Sequence, residues 1–218
     1  MRCLTAFFLA LGCLSTPQGF SQTSVDWDHA FLDASGSRPL HFTARYSDSR
    51  GPHHLEVWRA GQLHLRRRTD DRIDLHADAQ NRQGDYLWQI IDLQHHIDNR
   101  ISSHAMLQAG LLYNFYSMAH VLTRPPGRFR LETLAIPAAG PTPCTWYELT
   151  PDAQPPTRIC WSGALAIPVV IQAKTSAGTW DDTFTLLTHD RNLIPAAIFA
   201  VNPTGLTIRD HDQMAADD

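Results

Sequence analysis

The chain carries little charge and almost no lysine. Only 18% of its 218 residues are charged, and Lys174 is the single lysine among 18 basic residues. The formal net charge is −4. Nucleic-acid binding requires a basic footprint, and this composition does not supply one, so we expect no nucleic-acid partner. The hydrophobic fraction of 43% is that of a globular protein rather than a disordered one.

The sequence also lacks the short motifs of common catalytic and metal sites. It contains no HExxH, no CxxC and no GxSxG. Its 12 histidines include the adjacent pairs His53–His54 and His95–His96. A two-strand metal site from His64 and His76 is conceivable, but solvated strand and turn histidines explain the pattern more simply. We therefore expect no metal, no cofactor and no catalytic residue, and we predict that the protein is not an enzyme.

No apolar run reaches the roughly 20 residues that a membrane-spanning helix needs. The N-terminal run over residues 3–14 follows Arg2 and precedes small residues that end at Ser21. This pattern is typical of a secretion signal. We predict a signal over residues 1–21, a single domain over residues 22–218, and a periplasmic location.

The four cysteines divide between this leader and the domain. Cys13 closes the sequence Ala10-Leu11-Gly12-Cys13, which resembles a bacterial lipobox. In that alternative Cys13 is lipidated and anchors the protein at the outer membrane. Cys144 and Cys160 remain, and an even number of cysteines in an exported protein predicts one disulfide. A hairpin centred near Asp152 would bring these two cysteines opposite each other.

Short alternating segments separated by tight polar turns make up most of the domain. They predict an antiparallel sheet of about ten or eleven strands. Two helices are predicted as well, one over residues 25–34 with Asp26 as its cap, and one over residues 102–122 that begins at Ser102 or Ser103. The second helix is apolar over most of its circumference, which indicates that it is buried or covers something apolar.

A proline interrupts the apolar stretch Ile159–Gln172. Since Pro168 cannot donate a hydrogen bond to a strand ladder, we expect it at a sheet edge, a bulge or a strand start. An apolar-Pro-apolar strand, a glycine turn, an alternating strand and a Pro-Gly element follow one another here. The residues are Trp161, Ile167-Pro168-Val169, Gly178, Phe184, Phe199, Pro203 and Gly205.

This order resembles the closing segment of the periplasmic lipoprotein-carrier superfamily, which is LolA/LolB/RseB-like. The resemblance implies an α+β fold that is mainly antiparallel β. Its expected form is a half-open curved β-barrel with helices plugging the concave face. In that family an arginine latches the lid through backbone hydrogen bonds, and Arg59 stands at the matching place. The candidate ligand-binding residues are Phe42, Tyr46, Trp58, Arg59, Trp88, Leu111, Phe115 and Trp161.

Two functions follow as hypotheses. In the first, an exported envelope protein binds an acyl chain, a lipoprotein's lipid moiety or another hydrophobic ligand, in lipid or lipoprotein trafficking. It would then contact a membrane only at its periphery. In the alternative, the same fold is an envelope signalling or assembly module that binds a protein partner without lipid transfer.

Overall fold

The computed structural model describes residues 24–31, 38–81, 84–108, 114–137 and 140–214. About half of these residues belong to one sheet. Its strands are β1 (Leu40–Asp48), β2 (Gly51–Ala60), β3 (His64–Thr69), β4 (Ile73–Ala79), β5 (Tyr86–Asp92), β6 (Ile97–Ser102), β7 (Phe129–Leu134), β8 (Thr145–Pro151), β9 (Thr157–Ser162), β10 (Ile167–Lys174), β11 (Trp180–Asp190) and β12 (Thr207–Asp210). The predicted signal, Cys13 and Leu111 lie outside the described residues.

The sheet is curved and does not close into a barrel. Its strand order is β12-β6-β5-β4-β3-β2-β1-β11-β10-β9-β8-β7, so that β12 and β7 are its two edges. This confirms the half-open barrel, with 12 strands rather than ten or eleven. Neighbouring strands are antiparallel except β12, which pairs in parallel with β6. The predicted fold class, mainly antiparallel β, is confirmed, and the parallel pair arises because the chain crosses from β11 to the far side of β6 before forming its last strand.

Four short helices accompany the sheet in the described residues. They are α1 (Trp27–Phe31), α2 (Ser103–Gln108), α3 (Phe115–His120) and α4 (His211–Met214), and a 3₁₀ turn covers Ala196–Ile198. The predicted caps are present. Asp26 Oδ1 accepts from the backbone N–H of Asp28 and His29 at the start of α1, and Ser102 Oγ accepts from that of Ala105 in α2.

The predicted continuous helix over residues 102–122 is wrong. Asn114 has an extended backbone, with φ −123° and ψ 163°, and it caps α3. Its side-chain oxygen accepts from the Ser117 N–H at 2.8 Å, while Ser117 Oγ faces the Asn114 N–H at 3.4 Å. This reciprocal capping box starts a new helix at Phe115, and it splits the apolar segment into two short pieces.

Pro168 lies in the interior of the sheet. It is the second residue of β10, which runs between β9 and β11. The β10–β11 pairing begins only at Val170, and the β9 register shifts between Pro168 and Val170. The proline therefore stands at a strand start and at a bulge, where no bond to β11 is lost. The third alternative, an edge strand, is wrong.

The predicted disulfide between Cys144 and Cys160 is present, with the two Cα atoms 5.4 Å apart. Cys160 pairs across the sheet with Trp146, whose indole N–H donates to the Pro137 carbonyl at 2.9 Å. Trp146 and Cys160 belong to a small buried cluster. The disulfide thus fixes the end of the β7–β8 connection to β9.

Candidate ligand-binding site

One face of β1 to β5 is largely apolar, with Arg59 and Arg67 as charged residues within it. Strand alternation places every second side chain on this face, and the cross-strand register aligns Leu40, Arg59, Leu65, Ala77 and Trp88 in one row. We call it the concave face. Its fully or nearly buried apolar residues are Leu40, Phe42, Ala44, Leu55, Val57, Leu65, Leu75, Ala77 and Trp88.

Short helices, rather than a second sheet, pack on the concave face. Met106 of α2 and Phe115 and Ala119 of α3 belong to the same apolar cluster as the strand residues. Tyr86 stacks on Phe115 with ring centroids 4.6 Å apart, and burial raises the pKa of its phenol. Further partly buried apolar residues pack against the main cluster: Tyr46, Ile90, Ile101, Met118, Val121, Ile171 and Leu186.

A polar latch joins the sheet, helix α3 and the β9–β10 connection. Arg59 is 1% exposed and His120 is 3% exposed. His120 Nδ1 lies 2.5 Å from the Ala166 carbonyl oxygen, so this nitrogen carries the hydrogen. Arg59 Nη1 lies 2.6 Å from that Nδ1 and 3.1 Å from Nε2, and of the two ring nitrogens only Nε2 can then accept from the guanidinium. Arg59 Nη2 also donates to the Leu165 carbonyl at 3.0 Å.

The latch is the main feature that sequence reasoning did not assemble. The resemblance implied backbone hydrogen bonds for Arg59, but it named neither the Leu165 carbonyl nor His120 as the partner. The carbonyl leaves no signal in a sequence. His120 does leave a signal in the sequence, because it is a polar residue at the end of an apolar segment. In the structure it directly precedes Val121, which has a positive φ of 53°.

The structure brings five of the predicted site residues to the concave side of the sheet. Phe42, Trp88 and Phe115 are buried in the main apolar cluster, and Tyr46 packs against its rim. Arg59 holds the latch described above.

Trp161 belongs to a neighbouring cluster. Its ring centroid is 5.2 Å from that of Phe31 in α1, and both residues pack with Leu131 and Ile159. Ile171 packs against both this cluster and the main one. The helix α1 thus covers the strands β7 to β9 as α2 and α3 cover β1 to β5.

Trp58 lies on the opposite, convex face of the sheet. It follows Val57 and precedes Arg59, both of which are buried on the concave face. Its ring stacks on His41 with centroids 5.0 Å apart, and the Arg66 guanidinium lies 5.1 Å above it. The structure therefore separates Trp58 from the other candidates, and we do not include it in the site.

The convex face carries polar groups beneath the C-terminal segment. Asp74 accepts from Arg66 Nη2 at 2.6 Å, and His76 Nε2 lies 3.2 Å from the same carboxylate. Arg66 Nη1 donates to the Ile198 carbonyl, and His76 Nδ1 donates to the Phe199 carbonyl. Residues of the β11–β12 crossing thus complete the hydrogen bonding of a buried ionic group.

Neither a metal-binding cluster nor a membrane-spanning helix is found in the described residues. No group of three or more His, Cys, Asp or Glu side chains in them is arranged to hold a metal ion. His64 and His76 bond other groups, since His64 Nδ1 lies 2.7 Å from Asp78 Oδ1, and the two nitrogens of His76 face the Phe199 carbonyl and Asp74. No helix in the described ranges is long and apolar enough to cross a membrane.

Comparison with known proteins gives structural similarity only. No protein-family model and no curated protein matches the chain. It is similar to a crystal structure of MucB in complex with MucA(peri), with 10% identity, a TM-score of 0.45, and coverage of 84% of this chain and 60% of that one. A crystal structure of MucB alone gives 12% identity, a TM-score of 0.42, and coverage of 81% and 62%. This chain therefore spans about three fifths of the length of those proteins.

Proposed function

We propose that this chain is an exported, periplasmic member of the lipoprotein-carrier superfamily. In this proposal it binds an acyl chain, or another hydrophobic ligand, between the concave face and the helices. The observation that carries the proposal is the composition of that face: apolar side chains cover β1 to β5, and two six-residue helices lie over them. Binding is non-covalent and needs no catalytic residue, so the protein is not an enzyme.

The energetics of such a site are favourable. Each buried methylene contributes about 0.8 kcal/mol, so a long acyl chain supplies ample affinity by burial alone. The cost is the displacement of α2 and α3 from the concave face. Helices of 6 residues are marginal by themselves. Besides its apolar contacts, α3 is held by the latch to Arg59, by Arg67 Nη1 against Met118 Sδ, and by the Tyr116 hydroxyl, which donates to the Phe31 carbonyl.

A pair of substitutions on β5 tests this proposal. Ile90 faces the concave cluster and is partly buried, whereas Leu87 is partly buried on the opposite face of the same strand. We expect Ile90→Gln to weaken binding of a fluorescent fatty acid about tenfold, since burying one aliphatic side chain is worth about 1.5–3 kcal/mol. Leu87→Gln should bind like the wild type.

Two results would contradict this proposal. A wild-type protein that binds no fluorescent fatty acid or lysolipid, or two variants that weaken binding equally, would remove support for the concave site. Thermal unfolding of both variants controls for general destabilisation, because both replace a partly buried aliphatic residue on the same strand.

The alternative function is an envelope signalling or assembly module that binds a protein partner. One observation favours it: β12 ends the sheet, no described strand pairs with its outer edge, and Ile208 on it is 47% exposed. An extended segment of an envelope protein can add to such an edge. A photo-crosslinker at Ile208, with one at exposed Leu63 as the control, tests this. Position-specific capture that is unchanged by Ile90→Gln, with no lipid bound, would favour the alternative.

A further inference from the structure

A second, polar pocket lies at one end of the concave face. It has a volume of about 260 Å³ and is lined by Tyr46, Arg50, His53, Thr69, Asp70, Arg72 and Ile73. The β1–β2 turn supplies Arg50, and the β3–β4 turn supplies Asp70 and Arg72. Asp70 and Asp71 both have a φ of 52°, a left-handed conformation that Asp tolerates better than most residues. The sequence Thr69-Asp70-Asp71 thus builds the turn that brings Arg72 to this pocket.

The pocket is continuous with the apolar site. Tyr46, which lines it, also packs against the main apolar cluster. In the sheet register Thr69 and Ile73 form one row with Ala44 and Leu55, and these last two are buried in the cluster. A ligand lying along the concave face therefore reaches the pocket with one end.

The two carboxylates at the pocket are already occupied by internal donors. Asp48 accepts from the backbone N–H and the guanidinium of Arg50, at 2.7 and 3.0 Å, and from His53 Nε2 at 3.0 Å. Asp70 accepts from His53 Nδ1 at 2.5 Å and from the His54 backbone N–H at 2.7 Å. Because both nitrogens of His53 face carboxylates, the imidazole is held as the doubly protonated cation. Hydrogen bonds to Asp70 and then Asp48 raise the pKa of His53 accordingly.

This leaves one excess positive charge at Arg72, which acts on Asp70 through its charge without forming an ion pair with it. Arg50, Arg72 and protonated His53 give three positive charges, against two negative charges from Asp48 and Asp70. Within the described residues, no carboxylate forms an ion pair with the Arg72 guanidinium and no hydrogen bond is made by the Tyr46 or Thr69 hydroxyl. A nearby carboxylate, Asp71, pairs instead with Arg68, at 2.9 Å.

We propose that this pocket binds the anionic head group of the ligand, a phosphate or carboxylate, through Arg72 with the Tyr46 and Thr69 hydroxyls. The ligand class is then an anionic amphiphile whose tail lies on the concave face. This inference rests on the proposed lipid-binding function. The pocket by itself suits any small phosphate or carboxylate, so a free anion and a lipid head group must be told apart.

Two amphiphiles with the same tail, one with a phosphate and one without, separate the contribution of the head group to binding from that of the tail. We would measure binding of lauroyl lysophosphatidic acid and of monolaurin, which lacks the phosphate, to wild type and to Arg72→Gln. Arg45→Gln is the matched control, because Arg45 is an exposed arginine on the convex face of β1. A charge-assisted contact predicts that the wild type binds the phosphate-bearing ligand about tenfold more tightly. Arg72→Gln should remove that preference and leave monolaurin binding unchanged, and Arg45→Gln should keep it.

The remaining outcomes discriminate the two proposals. If the wild type binds both amphiphiles equally, or if Arg72→Gln keeps the preference, the head-group pocket is overturned while the lipid-binding function stands. If neither amphiphile binds but inorganic phosphate binds in an Arg72-dependent way, as seen in the NMR shifts of the Thr69 and Arg72 amides, the pocket is a free-anion site and the lipid-binding function falls. If neither amphiphiles nor phosphate bind, both proposals fail.

Discussion

The two faces of the sheet differ in how many buried polar groups they carry and in what those groups bond. On the convex face, the Arg66–Asp74–His76 group is sealed beneath the Ile198 and Phe199 carbonyls. On the concave face, apolar side chains dominate, and the buried polar contacts of the latch join the sheet to a helix of 6 residues and to the β9–β10 connection. Breaking the convex contacts exposes ions that need partners, whereas separating the concave contacts exposes mainly apolar surface that a lipid can cover. The concave face is therefore the one whose contacts with the helices can be replaced by contacts with a lipid.

The largest expected effect is on the convex face. Asp74→Asn removes the partner of Arg66, and loss of one member of a buried ion pair costs about 4 kcal/mol. Denaturant unfolding measures it. The matched control is Asp78→Asn on the same strand, because its pair with His64 is half exposed and should cost at most about 1 kcal/mol. Equal losses in the two variants would contradict the distinction between a sealed and an open ion pair. Neither variant should change lipid binding.

The same pair gives a pH dependence. Burial works to raise the pKa of the Asp74 carboxyl, but hydrogen bonds with His76 and Arg66 outweigh it and lower the pKa overall. A folded-state pKa below the unfolded value of about 3.9 means that this stabilisation is present above that pH and is lost as the pH falls through the folded value. Wild type should therefore lose more stability than Asp74→Asn on acidification. A constant gap between the two down to strongly acidic pH would contradict this.

Removing the disulfide should have the next largest effect. The double variant Cys144→Ala/Cys160→Ala opens a loop with a sequence separation of 16, for which the chain-entropy model gives about 3 kcal/mol. Thermal and urea unfolding measure it, and reduction of the wild type should reproduce it. Fatty-acid binding to the folded variant should be unchanged, because the linked cluster of Trp146 and Cys160 is separate from the main concave cluster. A tenfold loss of binding would show that the two are coupled.

Opening the latch should cost less stability and change the concave side more. Arg59→Met keeps the aliphatic stem but leaves the Leu165 carbonyl and His120 Nε2 without this donor, for an expected loss of about 2 kcal/mol. Hydrogen exchange in α3 should accelerate beyond that in β3. Arg45→Met on the convex surface is the control and should change neither. Uniform acceleration over the whole sheet would argue that Arg59 is only a core residue.

The smallest effect is expected at the surface. Asp71 is 82% exposed in its ion pair with Arg68, and such pairs contribute about 0–1 kcal/mol. Asp71→Asn should shift the urea midpoint only slightly, and the shift should shrink further in high salt. A loss as large as that of Asp74→Asn would mean that burial does not explain the difference between the two pairs.

Much of the sheet could be predicted from the sequence because strand alternation is a local signal. Alternation also shows that two of the predicted site residues, Trp58 and Arg59, cannot lie on the same face. Trp58 and Arg59 are neighbours on β2, so a period of two places them on opposite faces, and they could not both line one wall. The start of a new helix at Phe115 was harder to foresee, because it depends on the extended backbone and the side-chain cap of Asn114 within an apolar segment.

The candidate site could not be predicted as fully, because it is formed by contacts between residues that are far apart in the sequence. Arg59 meets His120 across 61 residues of sequence, and it meets the Leu165 carbonyl across 106. The pocket at the turns required Tyr46 and Arg72 to be placed at the same end of two hairpins. Long-range pairings of this kind leave no local pattern, so they follow from the fold rather than from the order of residues.

Native mass spectrometry tests the central claim most directly. The chain would be purified from the envelope of an exporting host and sprayed without denaturation, with Ile90→Gln and Leu87→Gln prepared in parallel. If a lipid binds on the concave face, wild type and Leu87→Gln should carry a bound mass in the lipid range. The fraction of protein that carries this mass should be lower for Ile90→Gln, and the mass should be lost on denaturation. A wild-type protein that carries no added mass and also ignores added fatty acid and lysolipid would contradict the central claim.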